Sequence, residues 1–157
     1  MGASVGNILQ KESYLAMIRN AEGSKLFRNL YARIGGEHAD ITKDGVISCA
    51  YFVSVILHAF YLVETPHATV AGLERDLLRS GWRKTGTPRE GDVIIWEPIM
   101  QAGSVNAHVG FYIGGDQAVS NDWETRVPSV HHYTGGTNPD GSPVRILTAV
   151  YTRKFES

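Results

Sequence analysis

Cysteine occurs once in the 157 residues, at position 49. A single thiol excludes an intrachain disulfide framework and any Cys-paired zinc motif, but a nucleophilic thiol needs no second cysteine. Excess charge is also lacking: 15 Lys+Arg stand against 16 Asp+Glu, for a formal net charge of -1. With no basic run anywhere, a nucleic-acid binder working through a broad positive face is excluded. No apolar stretch reaches the roughly 18 to 20 residues that cross a bilayer. The longest runs from Cys49 to Val63 and is broken by Ser54 and His58. The N-terminal MGASVGNILQKESY has no basic region leading into an apolar one, so no signal peptide is expected, and Gly6 stands where Gly2 myristoylation would want Ser or Thr. A cytoplasmic chain, or one exported by another route, is the default expectation.

What is present is the composition of a globular domain, with 43% apolar and 20% charged residues. No internal repeat or long linker divides residues 1–157, so one domain is expected. The first part reads helical. Glu12 to Asn20 carries Tyr14, Leu15, Met17 and Ile18, and Leu26, Phe27, Leu30, Tyr31 and Ile34 recur at helical spacing up to Gly35-Gly36. His38 to Asp44 reads as polar loop. The apolar run from Cys49 is too long for a strand, and Ser48 is a good N-cap, so it predicts a central helix. Thr69 to Ser80 predicts another, with Val70, Leu73, Leu77 and Leu78 on one side.

After Gly81-Trp82 the pattern turns to strands: Asp92 to Trp96, His108 to Ile113, Gln117 to Asn121, Val127 to Tyr133 and Val144 to Thr152. Gly114-Gly115-Asp116 marks a hairpin turn between the second and third. Helices followed by a meander of strands make an α+β fold.

The chemistry lies in an order of residues. Cys49 opens a buried helix, whose N-terminal partial charge and free amides favour a thiolate and can hold an oxyanion. His108 opens a later strand and supplies the base and proton donor that a thiol nucleophile requires. A third polar residue must orient the imidazole.

Three segments carry a resemblance. Gly-Val-Ile-Ser-Cys-Ala-Tyr-Phe-Val (45–53) is similar to the nucleophile segment of the NlpC/P60 cysteine peptidases, usually Asp-Cys-Ser-Gly-Phe-Val. Pro-Arg-Glu-Gly-Asp-Val-Ile-Ile-Trp (88–96) resembles their PGDLVFF strand, and Ala-His-Val-Gly-Phe-Tyr-Ile-Gly (107–114) their HVGIYLG. The likeness spans about residues 31–125, in the family's order. It implies a papain-like α+β fold and cleavage of amide bonds in peptidoglycan stem peptides or related wall fragments, without a cofactor or metal. Cys49 matches the nucleophile and His108 the base. Ser48 departs from the usual Asp and Ala50-Tyr51 from Ser-Gly. By the family's count the third residue would fall near Ser120; the related CHAP amidases use Asn, and Asn121, one step on, is the expected orienter through its amide oxygen, with Ser120 and Asp122 as alternatives. Neighbours on a strand face opposite ways, so the choice hangs on the register of the Gly114-Gly115-Asp116 turn. Tyr31 is a loose match to a tyrosine that lines the family's site.

Rival readings remain. His131-His132 could contribute one ligand to a metal with His38, Asp40 or His67, but adjacent strand residues face opposite ways and no His-Glu-x-x-His spacing occurs. His58 and His67 read as structural, and Trp82, Trp96 and Trp123 as core or cleft wall. The same dyad could serve an acyltransferase, a transglutaminase or a protein-directed peptidase. Ser48 and the weak third position also leave room for a non-catalytic binding domain on the same scaffold.

Overall fold

The computed structural model describes residues 6–101 and 103–156; Gly2 lies outside them. The chain forms α1 (Gln10–Asn20), β1 (Tyr31–Ile34), β2 (Glu37–Asp40), α2 (Cys49–Ala59), α3 (Val70–Arg79), β3 (Arg83–Thr85), β4 (Val93–Gln101), β5 (Ser104–Gly114), β6 (Gln117–Asp122), β7 (Val127–His132) and β8 (Leu147–Thr152). β1 and β2 make a separate hairpin, and the other six strands form one antiparallel sheet in the order β3-β8-β4-β5-β6-β7. The fold is therefore α+β. No helix among the described residues is long and apolar enough to cross a membrane.

α2 sits where its composition predicts. Phe52, Val53, Ile56 and Leu57 are fully buried, against Val109, Phe111 and Val119 of the sheet and Tyr14 and Ile18 of α1. Each such side chain contributes about 1.5 to 3 kcal/mol by leaving water. Only its C-terminal end, at His58 and Ala59, is exposed. α3 starts at a true cap, Thr69, whose hydroxyl accepts from the Gly72 amide at 3.1 Å.

The helix expected over Leu26 to Ile34 does not form. Leu26, Tyr31 and Ile34 are 82%, 71% and 60% exposed, and Phe27 is the buried member of that stripe. Gly35 and Gly36 both take positive φ, +56 and +85, which is what a two-residue hairpin turn requires. Tyr31–Ile34 therefore folds back onto Glu37–Asp40, in the stretch read as loop. Local turn chemistry overrides a helical stripe that buries little.

The α2 and α1 side of the sheet carries the main core. The opposite face holds a smaller cluster, Ile94, Trp96, Ala118 and Val150, with Tyr112, Tyr133 and Leu147 packed against it. Alternation along β5 sends Val109 and Phe111 toward α2, and His108, Gly110 and Tyr112 to the other face.

Candidate active site

Cys49 is the first residue of α2, as expected, and is half-buried. Ser48 occupies the N-cap position but does not cap. Its φ and ψ, -93 and 5, lie outside the extended region that aims a capping oxygen at the first turn. Its hydroxyl instead donates to the Phe27 carbonyl. The first-turn amides are thus left to the sulfur. Burial pushes the Cys49 thiol above its ordinary value, while the amides of Val109, Ala50 and Cys49 itself pull it the other way. The helix terminus does not win, and the resting group is a thiol rather than the thiolate expected from the sequence. The S–H is directed at the Ala107 carbonyl, 3.9 Å away.

His108 lines the same cavity of about 250 Å³ as Cys49, between the starts of α2 and α3. Among the described residues no hydrogen bond joins the two, so handing the thiol proton to the imidazole requires Sγ to leave the Ala107 carbonyl. His108 is 8% exposed. Burial first, then the Arg145 cation and His131, pull its pKa down to about 3. The imidazole is neutral at neutral pH.

Its tautomer follows from a chain of hydrogen bonds. His131 Nδ1 lies 2.8 Å from the His132 carbonyl oxygen, which only accepts, so Nδ1 carries the proton. His131 is itself buried enough that its pKa is lowered, with the Arg145 cation adding to that, so its Nε2 is an acceptor. The Ser120 hydroxyl, 2.7 Å away, donates to it. Ser120 Oγ then presents a lone pair to His108 Nε2 at 3.0 Å, and Nε2 must be the protonated nitrogen. His108 Nδ1 is left as a free base.

Asn121 does not orient the histidine. Gly110 pairs with Ser120 across the β5–β6 ladder, after a register shift between Tyr112 and Gly114. That register puts Ser120 on the face of His108 and Asn121 on the face of Val109. Asn121 is buried and donates from Nδ2 to the Gly45 carbonyl at 2.7 Å. It ties the turn preceding Cys49 to β6, and it lines the cavity from that side. Asp122 accepts from the amides of Glu124 and Thr125 and makes no hydrogen bond to His108.

A second cavity, of about 290 Å³, adjoins the first across Gln101, His108, Asn121 and Trp123, which line both. Gln101 is 8% exposed, and its carboxamide has no hydrogen-bond partner among the described residues. Nothing in the sequence marked Gln101 or Arg145. His131 was noticed only as a member of a His pair and as a possible cleft residue, not as the anchor of a relay.

Trp96 stacks on His108, with ring centres 5.1 Å apart, and lies 5.6 Å from His131. It is a wall of the site. Tyr31 is exposed on the outlying hairpin and does not line either cavity. His38 is exposed beside Arg33, and His67 is bonded to Asp76 at 2.6 Å. Among the described residues no group of three His, Cys, Asp or Glu side chains is placed to hold a metal ion. A scan against protein-family models and a search of curated proteins each find no match to this chain.

Proposed function

We propose that this protein is a cysteine hydrolase that cleaves amide bonds, with Cys49 as nucleophile and His108 as base. The observation that carries the reading is that His108, whose Nδ1 is an unprotonated acceptor, lines the same cavity as Cys49. In the reaction, Sγ leaves the Ala107 carbonyl and gives its proton to Nδ1 as it bonds to the substrate carbonyl carbon. The oxyanion forms beside the first-turn amides of α2. The intermediate then collapses, the C–N bond breaks, and Nδ1–H passes its proton to the departing amine. Water, deprotonated by the same nitrogen, releases the acyl group as a carboxylic acid and restores the thiol. Ser120, held as an acceptor by His131, takes the orienting role first given to Asn121. Gln101 supplies a free carboxamide for the substrate backbone.

The three NlpC/P60-like segments extend this reading to a papain-like fold and to peptidoglycan stem peptides or related fragments as substrates. Incubation with purified muropeptides and mass spectrometry of the products tests it, with Cys49→Ala as control. A new amine and acid terminus that depends on Cys49 is the expected result. Unchanged muropeptides and unchanged peptide libraries would sink it.

A second reading has its own support. The S–H bonded to Ala107 and the depressed basicity of His108 also suit a binding domain with no turnover. That reading predicts muropeptide binding of equal strength in wild type and Cys49→Ala, with no product.

A further inference from the structure

We propose that the cavity beyond His108 is a carboxylate-binding subsite in which Arg145 holds an acidic group of the ligand. It follows, resting on the hydrolase reading above, that the amide cleaved carries a carboxylate on that side.

Arg145 is the cation in the lining of this cavity. Among the described residues no carboxylate lies within ion-pair distance of it. Its Nη2 donates to the Glu97 carbonyl at 3.2 Å, and its Nε is buried with no partner. The guanidinium lies 5.9 Å from the centre of the Trp96 ring, the ring that also stacks on His108. Its backbone amide bonds to the Thr134 carbonyl at 2.7 Å, which fixes the strap that carries it. A half-buried guanidinium with unused donors favours a planar anion, and a carboxylate matches its fork.

The surrounding charges do not fill that role. Asp122 and Glu124 also line the cavity, but Asp122 is engaged with backbone amides and Glu124 is exposed at the mouth. Burial lowers the Arg145 pKa, and Glu97 opposes that without pairing with it. At His108 the charges that register are the Arg145 cation and His131. At His131, beyond burial, the charges of Arg145 and His132 lower the pKa while that of Asp122 raises it, so this half-cleft carries both signs, with Arg145 the cation that bears most on His108. The other half, lined by Val46, Ile47, Val70 and Ala71 together with Thr69 and Asn106, has no Asp, Glu, Lys or Arg in its lining. The two halves meet at His108, so a bound amide would have one uncharged side and one acidic side.

The subsite also bears on the base. After burial, the Arg145 cation is the largest influence that weakens His108. A carboxylate seated on Arg145 opposes that field and raises the basicity of both His108 and His131. A ligand of the right charge would thus strengthen the base that attacks it, while the empty site keeps the thiol quiet.

The test uses the Cys49→Ala protein, which cannot turn over, with glutarate as the probe and the neutral glutaramide as its control. Histidine side-chain NMR is followed against pH. Glutarate is expected to shift the His108 and His131 signals and to move the His131 midpoint upward by about one unit, the scale of one compensated charge in a partly buried site. Glutaramide should do neither. Arg145→Gln should raise the His131 midpoint by itself and weaken glutarate about tenfold, the loss of one charge-assisted contact. Equal responses to the two probes in the Cys49→Ala protein would overturn the subsite without recourse to an Arg145 variant. So would a glutarate response that survives Arg145→Gln.

Failure of the two readings is separable. Arg145-dependent glutarate binding in a protein that cleaves no amide keeps the subsite and drops the hydrolase. Hydrolysis that ignores Arg145→Gln, with no glutarate binding, keeps the hydrolase and overturns the subsite.

Discussion

Gly110 lies directly opposite Ser120 in the β5–β6 ladder, so close that a Cβ built on Gly110 would stand 2.8 Å from the Ser120 Cβ and 3.0 Å from Trp96 Cη2. The glycine of the His-Val-Gly segment is thus a spacer. It lets Trp96 cross β5 beside His108 and lets Ser120 come within hydrogen-bond distance of that histidine. Gly110→Ala must push one of these groups aside, against backbone as well as side chain, since the Val119 carbonyl oxygen is also 2.8 Å away. The expected cost is about 1 to 3 kcal/mol, the usual scale of overpacking. Chemical denaturation measures it, and a change in Trp96 fluorescence should accompany it. A variant as stable as wild type, with unchanged fluorescence, would mean that the contact is not tight.

Ser120 and Asn121 separate into different roles. Ser120→Ala removes the acceptor for His108 Nε2–H and the donor to His131 Nε2. It should cost about 10- to 100-fold in kcat, the scale of one hydrogen bond of roughly 1.5 to 3 kcal/mol to an imidazole that charges during the reaction. It should also scramble the His108 tautomer, which imidazole 15N shifts report directly. Asn121→Ala removes a buried bond to the Gly45 carbonyl. Its main effect should be about 1 to 2 kcal/mol of stability, with the His108 tautomer intact. The reverse pattern, a tautomer that depends on Asn121 and ignores Ser120, would restore the assignment made from sequence.

How far the sequence was legible depends on what set each feature. α2 and α3 were legible because burial and a cap dictated them: the apolar run from Cys49 has nowhere to go but the core, and Thr69 caps through its own hydroxyl. The strands from Val93 to Thr152 followed in part from alternation and turn residues. But β4 runs on past Trp96 and β5 starts before His108, pairing Ile99–Gln101 with Ser104–Asn106, so that His108 lies inside β5 instead of opening it. β3 was missed because Arg83–Thr85 is short and carries no pattern. The β1–β2 hairpin was lost because Gly35-Gly36 serves equally as a helix terminator and as a hairpin turn. The pairing of Cys49 and His108 in one cavity could be anticipated from their order. The third residue could not, because a shift between Tyr112 and Gly114 decides which side chain of β6 faces His108. The thiolate expectation weighed a helix N-terminus without burial, and burial is the larger influence at this sulfur.

Asp76 organises the loop that leads to α3. Fully buried, it accepts from the amides of Glu64 and Thr65, the Ser80 hydroxyl and His67 Nε2. Those bonds outweigh burial and hold its pKa down at about 2. A carboxylate with a depressed native pKa contributes stability that is complete above its unfolded value of about 3.9 and is lost as pH falls toward 2. Stability measured by urea should therefore fall between about pH 4 and pH 2. Asp76→Ala should flatten that part of the profile. It should also cost about 2 to 4 kcal/mol at pH 7, because His67, Ser80 and two amides lose their acceptor. An unchanged acid slope in the variant would show that another carboxylate carries it.

Reactivity of Cys49 against pH distinguishes a resting thiol from a resting ion pair. Burial raises the thiol above its ordinary value, and His108 stays neutral down to about 3. Neither group therefore favours charge transfer before a ligand binds. The thiolate is the reactive form, so alkylation by iodoacetamide should be slower at pH 7 than that of a free thiol with a pKa of about 8.5. The rate should climb continuously through pH 9 without an early plateau. His108→Ala should change the rate at pH 7 little, since the imidazole is not an imidazolium partner in the free protein. Ser54, deep on α2, gives a useful control: its hydroxyl donates to backbone carbonyls and accepts from the His67 amide, and Ser54→Ala should alter stability while leaving the shape of the alkylation profile unchanged. A plateau already reached between pH 6 and 7, and abolished by His108→Ala, would establish the thiolate–imidazolium pair. In that event the sulfur would have to sit away from the Ala107 carbonyl and against His108 Nδ1 in the resting protein.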